Sequence, residues 1–198
     1  MKLPEFRNEA FINFRDEKNS MKMREALEEV RKELGREYDL IIGGKRVKAS
    51  EKFTSYNPAN KNEVVGIFEK ATVDLADEAL LKAEETFLSW KTTSPEIRAQ
   101  VAVDVARIMR ERRFYYAAWM TYEVGKSWIE ADADVAEAID FCEFYARECL
   151  RLGNYQSLSP IAGEKNHLRY IPLGVGVVIP PWNFPLAILV GMTVASLV

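Results

Sequence analysis

The sequence predicts an α/β fold, in which a layer of helices is followed by the start of a parallel sheet. Amphipathic helical patterns fill most of residues 72–150. After them comes a short, wholly apolar run at residues 175–179, then a Pro/Trp/Asn turn and an apolar helix from about Pro185. Such an apolar, largely β-branched run is typical of a strand buried on both faces of a parallel sheet. A strand, a turn and a buried helix in this order open a βαβ unit.

The N-terminal part of the sequence predicts one helix and four short strands. A charged helix is expected over residues 20–34, ended by Gly35. The first two strands are joined at Gly43 and Gly44, because this pair tolerates the positive φ of a tight hairpin turn. The other two strands flank a turn with the sequence Asn-Pro-Ala-Asn. We expect these four strands within residues 38–47, 52–56 and 64–68.

Local start signals mark the first two helices of the helical layer. From Thr72 onward, apolar residues recur every three or four positions, and Asp74 occupies the first turn, where an acid is favourable. Ser94 and Pro95 begin the next helix, as a capping hydroxyl followed by proline at the first helical position. The predicted buried stripe of this second helix is Ile97, Val101, Val105 and Ile108.

Two further helices complete the predicted layer. A shorter one runs from Phe114 and ends at Gly125. Ser127 and Glu130 form a capping box at the start of the other, which extends to about Leu150.

Charge and cysteine content exclude several classes of protein. The 27 basic and 30 acidic residues leave a net charge of −3, so no electrostatic surface for nucleic acid or an anionic membrane is expected. The N-terminus lacks a signal-peptide pattern, and no apolar run is long enough to cross a bilayer. Cys142 and Cys149 lie too far apart along one helix for a disulfide, which fits a reducing cytoplasm. His167 is the only histidine, so no metal site is expected.

The most specific motif is GVGVVIPPWNFP, at residues 174–185. It resembles the early signature of the aldehyde dehydrogenase superfamily, in which a buried strand runs into a Pro-Trp-Asn-Phe-Pro turn. The resemblance implies an incomplete NAD-binding domain, with NAD as the cofactor and the turn as part of the wall around the nicotinamide. The residues that it implies in this wall are Ile179, Pro180, Pro181, Trp182 and Asn183.

The same resemblance implies a catalytic role for Asn183. The corresponding asparagine of the family supplies half of the oxyanion hole, and a preorganised donor of this kind lowers a barrier by about 3–4 kcal/mol. The predicted position, just past the carboxyl end of a strand, is where open α/β sheets bind ligands. The alternative is that Asn183 only caps the following helix, with Pro185 in its first turn.

Three tracts resemble one branch of the family, the pyrroline-5-carboxylate dehydrogenases: YDLIIGGKRV, YNPANKNEVVG and the stretch around AEAIDF. In that branch the residue matching Glu137 holds the amino-acid end of the substrate, and the residue matching Phe184 packs against its aliphatic part. A carboxylate is a suitable partner for a substrate ammonium. The alternative, from spacing alone, is that Glu137 is a solvated acid between Asp134 and Asp140.

The predicted organisation has four parts. They are an N-terminal helical arm at residues 1–37, strands and a helical layer at 38–152, an oligomerisation β-arm at 153–172, and the first strand, turn and helix of the nucleotide-binding sheet at 173–198. A strand is expected at residues 168–171 of the β-arm. Because family members use this arm in oligomer contacts, the resemblance implies a homo-oligomer.

As a whole, the resemblance implies NAD-dependent oxidation of L-glutamate γ-semialdehyde to glutamate in proline degradation, in the cytoplasm. The partner is then a small amino-acid semialdehyde, and neither nucleic acid nor a membrane is involved. We expect the 198-residue chain to be an inactive N-terminal fragment, because the family's catalytic cysteine follows the Asn183 motif and neither Cys142 nor Cys149 matches it. The alternatives are another semialdehyde or aldehyde dehydrogenase of the superfamily, and a non-catalytic helical interaction module.

Overall fold

The computed structural model describes residues 3–154, 156 and 158–198. The helices found in this part of the chain are α1 (Glu17–Arg31), α2 (Val73–Trp90), α3 (Pro95–Glu111), α4 (Arg113–Val124), α5 (Trp128–Leu152) and α6 (Ala187–Leu197). The strands are β1 (Arg36–Tyr38), β2 (Leu40–Ile42), β3 (Lys45–Val47), β4 (Glu51–Asn57) and β5 (Asn60–Lys70). The predicted mixture of helices and strands is therefore confirmed.

The strands form two small sheets. In the first, β5 lies between β1 and β4, parallel to β1 and antiparallel to β4. In the second, β2 and β3 make the predicted antiparallel hairpin. Gly43 and Gly44 have φ values of 56° and 76° at its turn, which explains why glycine stands at both positions.

Most helix boundaries follow the predicted capping chemistry. The Ser94 side chain accepts a hydrogen bond from the backbone N–H of Ile97 at the start of α3. Both hydrogen bonds of the Ser127–Glu130 capping box are present at the start of α5. The exception is α1, which begins three residues earlier than predicted because the Asp16 side chain caps it.

The predicted buried face of α3 is wrong at three of its four positions, while the fourth, Val105, is half-buried and packs against the core. Ile97 is 57% exposed, and Val101 and Ile108 are also exposed. The buried face instead consists of Ala99, Ala102, Ala106 and Met109. Helix α3 carries two apolar stripes, and the one with small side chains packs against α5, where it permits close approach of the two backbones.

The core lies among α1, α3, α4, α5 and α6. Its largest fully buried apolar side chains include Met23, Val30, Val135 and Ile139. Cys142 and Cys149 are buried on α5 and are not disulfide-bonded, so the interpretation of both as small core residues is confirmed. Helix α2 contributes no buried residue to this core.

The residues that precede α1 lie against the helical layer and are held there by polar side chains. Asp140 accepts hydrogen bonds from the Glu9 N–H at 2.7 Å and from Asn8 Nδ2 at 2.8 Å. Asp132 accepts one from the Ile12 N–H at 2.8 Å. The buried Asp132 carboxylate also binds the Arg113 guanidinium through two hydrogen bonds, of 2.6 and 2.8 Å. Residues 8–12 are thus fixed to α5, and Glu9 also pairs with Arg113 of α4.

The two predicted strands in the C-terminal part are not formed as strands. Near residues 168–171 the structure has only an isolated bridge between Gln156 and Leu168. Residues 175–179 pair with no strand in the described part of the chain, and Val177 is 70% exposed. A strand needs a neighbour for its backbone hydrogen bonds, and none of β1–β5 lies beside this run. The helix after the turn is confirmed as α6.

Candidate active site

An open cavity of about 280 Å³ lies where the turn before α6 meets the junction of α4 and α5. The turn contributes Trp182, Asn183 and Phe184, all exposed. The junction contributes Val124, Gly125, Lys126 and Glu130. The structure thus places the predicted oxyanion donor Asn183 and the predicted substrate contact Phe184 on one cavity wall.

Gly125 shapes the junction side of this cavity. It ends α4 in the left-handed conformation, with φ of 70°, as the sequence predicted. A Cβ at this position would also lie 3.2 Å from Pro58 Cγ. Glycine therefore permits both the turn of the backbone and the close approach of the β4–β5 hairpin.

Asp134 holds the start of α6 from within α5. Its carboxylate is fully buried and its Oδ1 accepts a hydrogen bond from the Ala187 N–H at 2.7 Å. Its Oδ2 accepts a second from Lys126 Nζ, also at 2.7 Å. The sequence pattern did not predict this role, because acids at three-residue spacing, Asp134, Glu137 and Asp140, suggested a solvent-exposed helix face. Asp140, bonded to residues 8 and 9, is also not simply solvated.

Lys126 connects this buried carboxylate to the cavity. Its side chain is only 12% exposed, and its ammonium nitrogen lies 3.9 Å from the centroid of the Phe184 ring. At this distance the cation is attracted to the ring face. The sequence signal that could have found the contact is the position of Lys126 directly after the helix-ending Gly125.

The helix-cap alternative for Asn183 does not match the start of α6. The capping position is occupied by Leu186, whose own side chain makes no capping hydrogen bond. Asn183 lies three residues earlier and faces the cavity.

The predicted cofactor wall is exposed to solvent. Ile179 and Trp182 are each 80% exposed, and Pro180 between them is half-buried. The backbone of residues 179–181 belongs to no helix or strand. An apolar surface of this kind suits the face of a planar ring, so these residues fit a nicotinamide.

Glu137 lies on the exposed surface of α5. It follows Asp134 by three residues, so the two side chains are neighbours along the helix. Glu137 is nevertheless absent from the residues that line the Asn183 cavity. The structure therefore brings Phe184, but not Glu137, to the predicted oxyanion donor.

The two cysteines are poorly suited to act as nucleophiles. Burial raises the pKa of Cys142 to about 12, with a smaller contribution from the charge of Glu143. Burial also raises the pKa of Cys149. Because the thiolate is the reactive form, both thiols are unreactive near neutral pH. In the described residues we find no group of His, Cys, Asp and Glu that could hold a metal ion, and no helix that is long and apolar enough to cross a membrane.

The fold and the turn motif are those of the aldehyde dehydrogenase family. Residues 46–198 match the aldehyde dehydrogenase family, and the chain therefore belongs to that family. Among curated relatives, the 1-pyrroline-5-carboxylate dehydrogenases of Geobacillus thermodenitrificans and Geobacillus kaustophilus are each 51% identical over 193 residues. These alignments cover 98% of this chain but 38% of each relative, so the chain spans well under half of their length.

Solved structures agree with this assignment. A 1-pyrroline-5-carboxylate dehydrogenase from Thermus with bound NAD is 46% identical, with a TM-score of 0.94, covering 100% of this chain and 39% of that one. Proline utilization A from Bdellovibrio bacteriovorus is 37% identical, also with a TM-score of 0.94, covering 98% of this chain and 20% of that one. The resemblance that the sequence motifs predicted is confirmed.

Proposed function

We propose that this chain is the N-terminal part of an NAD-dependent enzyme that oxidises L-glutamate γ-semialdehyde to glutamate. The observation that carries the proposal is the exposed Asn183 amide on the wall of the cavity between the turn before α6 and the α4–α5 junction. The names of the relatives that are 51% identical support the substrate. The NAD bound by the Thermus relative supports the cofactor.

In this proposal, the catalytic cysteine of the full-length enzyme adds to the carbonyl carbon of the aldehyde. Asn183 donates its side-chain N–H to the aldehyde oxygen, which becomes negative in this addition. A donor fixed in place before the reaction costs no reorganisation at the moment of charge development, and this makes it effective. NAD⁺ supplies the hydride acceptor. Ile179, Pro180, Pro181 and Trp182 form the apolar surface against which the nicotinamide rests.

The proposed substrate contacts are Phe184 and Glu137. The Phe184 ring lies beside Asn183 on the cavity wall and packs against the aliphatic part of the substrate. The Glu137 carboxylate pairs with the substrate ammonium at the far end of the molecule. Such a contact requires the substrate to extend from the cavity along α5.

The experiment that tests the substrate is the Glu137→Ala substitution in the full-length enzyme. Loss of a charged hydrogen bond should cost about 1.5–3 kcal/mol, so kcat/KM for glutamate semialdehyde should fall by about 10- to 100-fold. Turnover of propionaldehyde, which has no ammonium, should change less than about threefold. Initial rates of NADH formation with both substrates provide the comparison.

Glu148→Ala is the matched control for this experiment. Glu148 lies on the same helix in a surface ion pair with Arg151, and surface pairs contribute little. The Glu148→Ala variant should therefore have an unchanged kcat/KM for both aldehydes. Equal loss with both aldehydes in the Glu137 variant would exclude the proposed ammonium contact.

One observation favours a second candidate function. Because Glu137 lies outside the Asn183 cavity, the cavity itself has no carboxylate except Glu130, which belongs to the capping box. An enzyme acting on a different semialdehyde or aldehyde would need no ammonium partner. Higher kcat/KM for such an aldehyde than for glutamate semialdehyde would establish this candidate.

We also propose that the full-length enzyme is a cytoplasmic homo-oligomer. The supporting feature is the exposed apolar surface of the predicted β-arm and its end, which includes Ile161, Tyr170, Ile171 and Leu173. A monomeric full-length enzyme in light scattering would contradict the oligomer.

A further inference from the structure

We propose that Asp134 and Lys126 are positioning residues that hold the Asn183 turn in its working orientation. The proposal rests on the role of Asn183 given above. Neither side chain needs to touch the reacting aldehyde. Asp134 acts on the turn through its hydrogen bond to the Ala187 N–H, and Lys126 acts through its contact with the Phe184 ring.

The first argument concerns how α6 begins. The start of an α-helix leaves backbone N–H groups without partners, and a side chain near that end usually accepts from one of them. At α6 the capping position holds Leu186, and no capping side chain is present there. Asp134, 53 residues earlier on α5, supplies the acceptor instead. Its negative charge is also favourable at the positive end of the helix.

The second argument concerns the short connection from Ala187 back to Asn183. Three residues separate them, and one is Pro185, whose ring fixes its φ. The Phe184 carbonyl accepts a hydrogen bond from the Ile188 N–H at 3.3 Å, which ties the turn to the first turn of α6. Fixing Ala187 therefore restricts the backbone that carries the Asn183 amide.

The third argument concerns charge. A fully buried carboxylate is costly unless it is paired and its oxygens are hydrogen-bonded. Asp134 satisfies both conditions, since Lys126 neutralises it and each oxygen accepts a hydrogen bond of 2.7 Å. Lys126 in turn places its ammonium over the Phe184 ring. The pair therefore holds the turn at Phe184 through its ring and the start of α6 at Ala187 through its backbone N–H.

The chain contains a matched control for this pair. Asp132 is also a fully buried aspartate on α5, and it pairs with the buried Arg113. Its contacts are with the segment before α1 rather than with the turn. Replacing each ion pair by apolar side chains of similar size removes the charges without leaving one buried and unpaired. The variants are Lys126→Met/Asp134→Leu and Arg113→Met/Asp132→Leu, made in the full-length enzyme.

The first measurement is hydrogen–deuterium exchange of the peptide covering residues 183–190. Exchange there should accelerate at least about tenfold in the Lys126/Asp134 variant, because the Ala187 N–H loses its acceptor. It should be unchanged in the Arg113/Asp132 variant. A single Asp134→Asn variant, which keeps an acceptor oxygen, should show an intermediate effect. Unchanged exchange in the Lys126/Asp134 variant, or equal acceleration in both double variants, would overturn the proposal.

The second measurement is steady-state kinetics with glutamate semialdehyde. Small displacements of a catalytic group can reduce rates by about 100-fold, so kcat should fall at least about tenfold in the Lys126/Asp134 variant. The KM for NAD should change less than about threefold, and the control variant should retain its kcat. Unaltered kcat despite faster exchange would also overturn the proposal. Failure of the proposed function is distinguishable, because the unmodified enzyme would then fail to oxidise glutamate semialdehyde, while the exchange result does not depend on activity.

Discussion

Among single residues, the amide of Asn183 carries the most specific part of the proposed chemistry. It is exposed, lies on a cavity wall and is followed by the first turn of a helix. The turn motif predicted its importance through the resemblance of Pro-Trp-Asn-Phe-Pro to the family signature. The motif could not predict what holds the turn, since Asp134 is 49 positions away in the sequence and only the folded chain brings it close.

Substituting Asn183 by Ala in the full-length enzyme should reduce kcat by about 100- to 1,000-fold, because one oxyanion donor is lost. KM for the aldehyde should change little, as the donor acts mainly on the transition state. Steady-state kinetics measures both constants. Asn166→Ala is the control, since Asn166 is an exposed amide bonded to Glu164 and remote in sequence from the turn. A loss of less than about threefold in kcat would exclude the oxyanion role.

At the scale of helices and strands, the predictable features are those with local causes. The starts of α2, α3 and α5 follow from the hydroxyl groups of Thr72, Ser94 and Ser127, which each cap a helix within three residues. The hairpin at Gly43 and Gly44 is equally local. These elements could be predicted because no distant contact is needed to form them.

The incorrect predictions depended on distant partners. The two apolar stripes of α3 have the same helical period, so hydrophobic spacing could not decide which one packs against α5. The run at residues 175–179 has the composition of an interior strand, but a strand forms only beside another. Both errors have the same cause. The buried face of α3 and the conformation of residues 175–179 each depend on a packing partner that is distant in the sequence.

The contact between α5 and α6 offers a test at this scale. Gly191 lies within α6, and a Cβ there would be 2.7 Å from Phe141 Cδ2 on α5. Alanine would gain about 1 kcal/mol in helix propensity, but overpacking costs about 1–3 kcal/mol. We expect Gly191→Ala to lower the Tm of the full-length enzyme, measured by circular dichroism. Gly176→Ala, with no atom within 4 Å of its Cβ, should not. An unchanged or higher Tm for Gly191→Ala would show that the ring moves aside.

For the molecule as a whole, the main feature is apolar surface that this chain does not cover. Val73 and Leu88 on α2 and Ile97 on α3 are exposed, although their spacing is that of buried helix faces. A second open cavity between α5 and α6 is lined largely by apolar side chains, including Phe141, Ile188 and Met192. Exposed apolar surface of this extent marks interaction sites or causes association.

The isolated 198-residue chain should therefore bind a hydrophobic dye and self-associate. We expect bis-ANS fluorescence several times that of the full-length enzyme at equal mass, and a concentration-dependent mass in light scattering. The isolated chain should produce no NADH from any aldehyde, because its two thiols are buried and protonated. A monodisperse chain with little dye binding, or measurable NAD reduction, would contradict this expectation.

The attachment of residues 8–12 to α4 and α5 has a practical consequence for shortened versions of the protein. Helix boundaries alone would suggest trimming the chain to Asp16, where α1 is capped. That deletion would remove the N–H groups of Glu9 and Ile12. The carboxylates of Asp140 and Asp132 would then lose these hydrogen bonds. It would also leave the Arg113 guanidinium without Glu9. A purification tag or protease site should therefore precede Leu3, so that residues 8–12 keep their contacts with α4 and α5.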